Sequence, residues 1–381
     1  MSNLPVSERT ILVAGGGHAH VEVLRRFALA REPGVGLVLV SPDRETPYSG
    51  MLPGLVAGHY TREQAHIDLE PLARGAGARF VRDRIVALDA AAAVATTASG
   101  AALRYDVASL DIGSQPDLSM PGAREHAIGV KPVEAFLARW SAVRDAVREG
   151  TVQRIAVVGG GAGGVEVLLA MHHRLSHDMP GRAPRFALVS DRSNLPAAAN
   201  RALLACLDAA GIDKHFGRAA TGFDAGAVVL ADGARVSADA IFGATPATAA
   251  PWLVASGLAC DARGFVRVDA HLRSPSHANV FAAGDCATQD GPPHPRSGVY
   301  AVRQGPTLAA NLRAAATGRA LATYRPQARA LALISTGGKH AIAVWGRWSF
   351  AGDWVWRWKD RIDRGFMERY RIGVRGPATP R

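Results

Sequence analysis

Two glycine clusters hold the residues of this 381-residue chain whose types and spacing suit chemistry. The first reads "AGGGHAHVEV": Gly15 and Gly17 are spaced as in G-x-G-x-x-G, with His20 where the third glycine would stand. The second reads "VGGGAGGVEV" and has the full pattern in Gly159, Gly161 and Gly164, with Ala162 and Gly163 between them. Each could bind a dinucleotide pyrophosphate. The first glycine permits a tight turn, the second lets backbone amides approach phosphate, and the positive end of the next helix faces the anion. His18, Ala19 and His20 line the mouth of the first turn. A histidine donor to phosphate and a packed, hydrogen-bonded histidine are both open there.

The elements that must position these turns can be read around them. Apolar β-rich runs precede each turn (Ile11 to Ala14, Ile155 to Val158), and helices opening on Val-Glu-Val follow, at Val21 and Val165. A second strand then ends near Val40 in one unit and at Ser190 in the other. Ser41, Pro42 and Asp43 stand at the first tip, and Ser190, Asp191 and Arg192 at the second. A carboxylate at such a tip binds a ribose diol, whereas a small polar residue followed by arginine accommodates a 2′-phosphate. NADH and NADPH therefore both remain open.

Three more segments continue the pattern. "RYDVASLDIGSQP" passes through Asp111 to Gly113, and "VSADAIFGATPAT" reaches Thr245. "ANVFAAGDCAT" is a strand ending on Gly284 and Asp285, with a helix starting near Val299 and Tyr300. With these ordered motifs the sequence resembles the FAD-dependent pyridine nucleotide-disulfide oxidoreductases over roughly Ile11 to Leu312. The resemblance implies FAD in the first unit and NAD(P)H in the inserted second one. It implies that Asp285 contacts the flavin's ribityl chain and that the Ile85 backbone meets the adenine, with Asp111, Gly113 and Gly284 among the FAD contacts and Thr245 among those of NAD(P)H. The helix near Val299 would then direct its amino end at the flavin pyrimidine edge. Tyr48, Met51 and Pro53, in "PYSGMLPGL", are expected beside the flavin, though a Pro-Gly turn explains them equally. Glu166 could reach the nicotinamide ribose or carboxamide, or could stabilise a helix dipole. Lys131, the sole lysine before Lys214, falls at the crossing between units. A cation there would favour hydride acceptance by the flavin, and a hinge lysine on the surface is the alternative.

"GGGHAHVEVLRRF", "TPYSGMLPGLVAGHY", "AHIDL" and "WVWRWKDRIDRGFMERY" together resemble a narrower group, the flavoproteins associated with selenophosphate synthetase. "GVYAVRQG" is similar to the quinone-side helix of type II NADH dehydrogenases. The implied function is transfer of hydride from NAD(P)H to FAD and of electrons to a small acceptor such as a quinone. The second reading is an accessory or electron-transfer partner in selenium metabolism with an unused nicotinamide site.

The composition excludes other classes. Cys206, Cys260 and Cys286 lie far apart with no CxxC, which argues against a disulfide reductase and gives no disulfide framework. Cys286 reads as a small buried residue. No metal site is expected. The net charge of +11 rests on arginine and favours anionic partners, yet no lysine block or aromatic RNA motif points to nucleic acid. No leader pattern and no apolar run of about 18 residues is present, so a cytoplasmic protein is expected.

The expected fold is α/β, with two nested Rossmann-like dinucleotide-binding domains. Residues 8–120 and 270–325 form the FAD domain and 121–269 the NAD(P)H domain, followed by a β-hairpin and amphipathic helix over 326–381. In the tail, Val355, Trp358, Ile362, Phe366 and Tyr370 form a helical stripe. It can pack on the body, form a homodimer seam or lie at the inner face of a membrane. Trp354, Trp356 and Trp358 are expected to wall an acceptor site, with Arg357 and Arg361 outside.

Overall fold

The computed structural model describes residues 9–192, 197–291 and 294–371. Residue 8, residues 372–381 and most of the stretch read for a leader lie outside the described residues. Strands Val280–Ala282, Val107–Leu110, Arg9–Ala14, Val35–Ser41 and Ala78–Arg82 form a parallel sheet in that spatial order. A second parallel sheet runs Ala127–Gly129, Ala240–Gly243, Arg154–Val158, Arg185–Ser190, Asp213–Phe216. In each, the strand before the glycine turn lies between its successor and a strand from much later in the chain. That is a topological switch point, where α/β sheets leave a crevice at the strands' carboxyl ends. The run Ile11 to Ala14 is fully buried, as a parallel strand covered on both faces requires. Each unit also carries a three-stranded antiparallel sheet, Ile85–Asp89, Val94–Thr97 and Ala102–Arg104 in one, Ala220–Asp224, Ala227–Leu230 and Arg235–Ser237 in the other. The repeat is structural as well as sequential.

The cores follow the units with two exchanges. Ala250, Leu253, Leu258, Val266 and Val268 pack into the first core, although they fall within the stretch 121–269 expected of the second unit. Conversely, Leu52, Val56 and Ala57 pack into the second core, across the junction. The reason is contact: helix Leu52–Ala57 lies against helix Ala162–Asp178.

The tail has one strand more than the expected hairpin. Ala332–Ser335, Ala341–Trp345 and Trp348–Gly352 form an antiparallel sheet, turning near Gly337 (φ 91°) and at Gly346 (φ 59°). Helix Asp353–Glu368 follows, and its buried face differs from the expected stripe. Val355, Lys359, Asp363, Phe366 and Met367 are buried, with Tyr370 just beyond, while Trp358 and Ile362 are each 41% exposed. Stepping by four from Val355 reaches two charged residues, which a search for apolar positions rejects. They are admitted because each neutralises the other: Lys359 Nζ bonds Asp363 Oδ2 at 2.6 Å. The Tyr370 hydroxyl donates to Glu22 Oε2 at 3.1 Å, tying the tail to the first helix, His18–Leu29.

Candidate functional site

The two glycine turns share a plan, but His18, Ala19 and His20 stand in the first where the second has Ala162, Gly163 and Gly164. Gly15 (φ 95°) and Gly159 (φ 123°) both need the left-handed region. A Cβ there would lie 2.4 Å from the Asp111 carbonyl oxygen and 2.3 Å from that of Ala244, respectively. Asp111 and Ala244 are therefore equivalent, each following a strand that pairs with the turn strand (Ala14 with Leu110, Val158 with Gly243). The middle glycines, Gly16 and Gly160, abut the hydroxyls of Ser41 and Ser190 at the tips of the second strands. Ser41 and Ser190 are buried at those tips, whereas Pro42, Asp43 and Asp191 are exposed. The Ser190 hydroxyl is bonded within its own turn, to the Arg192 backbone.

At the third position the turns part. A Cβ on Gly164 would stand 2.2 Å from the Gly159 carbonyl and 2.9 Å from Ala244 Cβ, so that helix packs close. His20 occupies the corresponding place in the first unit, fully buried. Its Nδ1 lies 2.7 Å from the Gly15 carbonyl oxygen, which can only accept, so Nδ1 carries the proton. Nε2 then accepts from the Ser109 hydroxyl at 2.8 Å. Burial lowers the pKa of His20 to about 4, with the Gly15 bond opposing, so the ring is neutral. Both nitrogens are spent on the protein, and the side chain is not offered to phosphate. His20→Ala should cost about 2–4 kcal/mol by opening a cavity and leaving two buried partners unsatisfied, read by denaturant unfolding at pH 7.

Asp111, set against Ala244 by the repeat, brings a carboxyl to the same turn. It is buried, and its Oδ2 accepts from the amides of Ala19 at 2.8 Å and His20 at 3.2 Å. Helix His18–Leu29 has Gly17 as its N-cap with no side-chain bond, so Asp111 caps it from another strand. Burial pushes the pKa of Asp111 up to about 7, against the two amide bonds. A Cβ on Gly17 would lie 2.2 Å from its Cγ, and one on Gly284 2.3 Å from its Oδ1. These glycines make room for the carboxyl.

Gly284 brings Asp285 to this turn, and the crossing segment brings Lys131. Lys131 Nζ bonds Asp285 Oδ2 at 2.5 Å and the Ser114 hydroxyl at 3.3 Å. The Gly284 amide donates to Gln304 Oε1 at 2.8 Å, which fixes the Gly-Asp turn to helix Gly298–Thr317. Val299 is 40% exposed at the start of that helix, while Tyr300 is buried, with its ring stacked on His294 at 4.5 Å. His18 sits across the mouth, its Nε2 accepting from the Ser49 amide at 3.3 Å. Burial lowers its pKa to about 4, with Asp285 opposing and Lys131 assisting. Gly113 (φ 70°) turns the chain after Asp111. Ile85 and Pro53 are buried in strand Ile85–Asp89 and helix Leu52–Ala57. Cys286 is buried and burial pushes its thiol up to about 12, so no thiolate forms there near neutrality.

Glu166 does not stand free at the second turn. Its Oε1 accepts the Ser335 amide of the tail sheet at 2.7 Å, and burial raises its pKa to about 7, with Lys359 opposing. Lys359 also reaches the Gly50 carbonyl, and the Tyr48 hydroxyl bonds Asp363. Tyr48 stacks on Phe366, centroids 4.2 Å apart. Elements of both units and the tail thus meet in one polar cluster, in which Lys359 and Asp363 are buried and Glu166 and Tyr48 are half-buried. Of the tail tryptophans, Trp356 alone turns inward, edge-on to His59 at 5.6 Å, while Trp354 and Trp358 face out. Thr245 donates to the Asp117 carbonyl at 3.1 Å, a link across the crossing.

The second turn fits a pyrophosphate directly. A Cβ on Gly161 or Gly163 would meet nothing within 4 Å, so there is open space beside both positions at the start of helix Ala162–Asp178. The family profile described as pyridine nucleotide-disulphide oxidoreductase matches residues 9–305. The chain belongs to this family. It is a flavin-dependent NAD(P)H oxidoreductase whose cofactors are FAD and NAD(P)H. Among solved structures it is similar to the sulfide:quinone oxidoreductase of Aquifex aeolicus, at 18% identity and a TM-score of 0.79, over 95% of this chain and 91% of that one. NDH2 of Plasmodium falciparum, solved with NADH, gives 13% identity and a TM-score of 0.78, covering 95% and 97%. A ferredoxin reductase of Rhodopseudomonas palustris gives 20% and 0.73, covering 88% and 81%. At these identities the likeness is one of fold. Three ordered glycine motifs were enough to reach the family from sequence. Asp111 was expected only as an FAD contact, and its capping of the first helix and the role of Lys359 were missed; a residue-by-residue alignment of the two repeats would have exposed the first.

Proposed function

We propose that this oxidoreductase takes hydride from NAD(P)H held on the Gly159–Gly164 turn and passes electrons from FAD, held on the Gly15–His20 turn, to a quinone-type acceptor. The observation that carries this reading is the polar cluster of Glu166, Lys359, Asp363 and Tyr48 where both units and the tail converge. FAD, when bound, supplies the hydride-accepting ring. The residues supply placement and protons. Lys131 and Asp285 present a paired charge at the mouth of the first turn, in reach of a polar chain such as the ribityl. A quinone consumes two protons per two electrons, and Glu166, with its pKa near 7, exchanges a proton at neutral pH without leaving its Ser335 anchor.

The tail supports a membrane-held acceptor. Among the described residues no helix is long and apolar enough to cross a membrane. Yet Trp348, Phe350, Trp354 and Trp358 are exposed on the last strand and helix, and Arg357 and Arg361 are exposed on the same helix. Aromatic rings with interspersed arginine suit the headgroup layer of an anionic bilayer. The association with selenophosphate synthetase rests on sequence resemblance alone.

The test is an anaerobic visible titration of the purified protein with NADH, then NADPH, followed by a quinone supplied in anionic vesicles. Bleaching of the flavin by one nucleotide and rapid recovery on quinone addition is the expected result, with slower recovery when Trp354 and Trp358 are both serine. Binding of both nucleotides without bleaching would overturn it in favour of the accessory reading.

A further inference from the structure

The first turn already holds an anion of the protein's own. In the second unit the residue following the paired strand is Ala244, whose methyl side chain offers the helix amides no acceptor. In the first, that residue is Asp111, whose carboxylate takes the Ala19 and His20 amides at the start of the helix. The dipole that favours a pyrophosphate favours this carboxylate equally. Two anions at one buried helix end repel, and the low-cost way to relieve this is to neutralise the carboxyl. We propose that Asp111 is a positioning residue that couples flavin binding to protonation: the FAD pyrophosphate and the ionised Asp111 carboxylate exclude one another, and FAD binds with uptake of a proton from solvent at this carboxyl. The proposal rests on FAD occupying the first unit.

The neighbouring groups leave Asp111 as the titrating one. On the helix that Asp111 caps, His18 and His20 have pKa values lowered to about 4, and both are neutral above pH 6. From the Gly284 turn, Cys286 is held protonated to about 12, and Asp285 is paired with Lys131 from the crossing segment. From its own sheet Ser109 faces it through His20 and carries no charge. Asp111 itself, raised to about 7 by burial, changes charge inside the working range. As pH falls below 7 the carboxyl becomes neutral and the charge opposing FAD binding is lost. Above it, each pH unit should weaken binding up to about tenfold, until other groups intervene.

The experiment is equilibrium binding of FAD to the full chain after flavin removal, followed by flavin fluorescence from pH 5.5 to 8.5, beside titration calorimetry in two buffers of different ionisation enthalpy. The expected result is a dissociation constant rising with pH above 7 and proton uptake approaching one per FAD at pH 8. Asp111→Asn, which keeps the acceptor for the two amides, should flatten the profile at the low-pH affinity. A flat wild-type profile without proton uptake overturns the proposal, and that measurement needs no variant to fold. An Asn variant that keeps the wild-type slope overturns it as well. Titration of NADH and NADPH under the same conditions separates the two assignments. If Asp111→Asn flattened nicotinamide binding in place of FAD binding, the assignment of FAD to the first unit would have failed.

Discussion

Gly161→Val leaves the fold and the flavin spectrum unchanged and raises the KM for NAD(P)H by roughly 10–100-fold for each phosphate–amide bond lost. The expectation follows from local geometry. Gly161 is the N-cap of helix Ala162–Asp178 at φ −67° and ψ 164°, a conformation open to any residue. Its Cβ would meet nothing within 4 Å, so a valine costs the folded chain little. The isopropyl group would instead project into the space above the helix amides, where a pyrophosphate must come close. Gly164→Val is the contrasting control: its Cβ would lie 2.2 Å from the Gly159 carbonyl, and the helix could not stay in place. Steady-state kinetics with both nucleotides and a visible spectrum check the first, and thermal unfolding checks the second. Loss of FAD from a folded Gly161→Val protein would show that the units are assigned the wrong way round.

Lys359→Met lowers stability by about 3–5 kcal/mol at pH 7, because it leaves Asp363 as a buried, uncompensated charge. Lys359 is 7% exposed, and its ammonium bonds Asp363 and the Gly50 carbonyl. The deficit depends on pH with a definite sign. Burial already raises the pKa of Asp363, against the pull of Lys359, so deleting the ammonium raises it further. The ionised form is the one penalised, and the difference from wild type shrinks as pH falls and Asp363 protonates. Urea unfolding at pH 7 and pH 5 measures it. Asp363→Asn added to Lys359→Met should recover part of the loss, and a deficit equal at both pH values would contradict the account.

The sheet strands and both turns were legible because their signals are local: buried β-rich runs, glycine spacing and a helix start. The tail was half legible. Its helix was expected and found, but the apolar rule chose Trp358 and Ile362 for burial where the structure buries Lys359 and Asp363. No periodicity reveals a charge that is admitted because a partner four residues away cancels it. The histidine at position 20 has a similar cause: its meaning depends on Ser109, which the fold brings near from a distant strand. The core exchange at Ala250 to Val268 was hidden because a boundary set by the order of motifs cannot show which sheet a short connecting segment packs against.

The threading of the two units also sets an order of assembly. The inserted unit has all five strands of its parallel sheet between Ala127 and Gly243, an uninterrupted stretch of chain. The outer unit lacks its edge strand until Val280–Ala282 is made, and its first helix is covered later still, by helix Gly298–Thr317 and by the Tyr370 bond to Glu22. On a ribosome adding residues from the amino end, the nested sheet is therefore complete while the outer one stays open. The residues of the outer glycine turn are synthesised before the nested unit and enclosed after it.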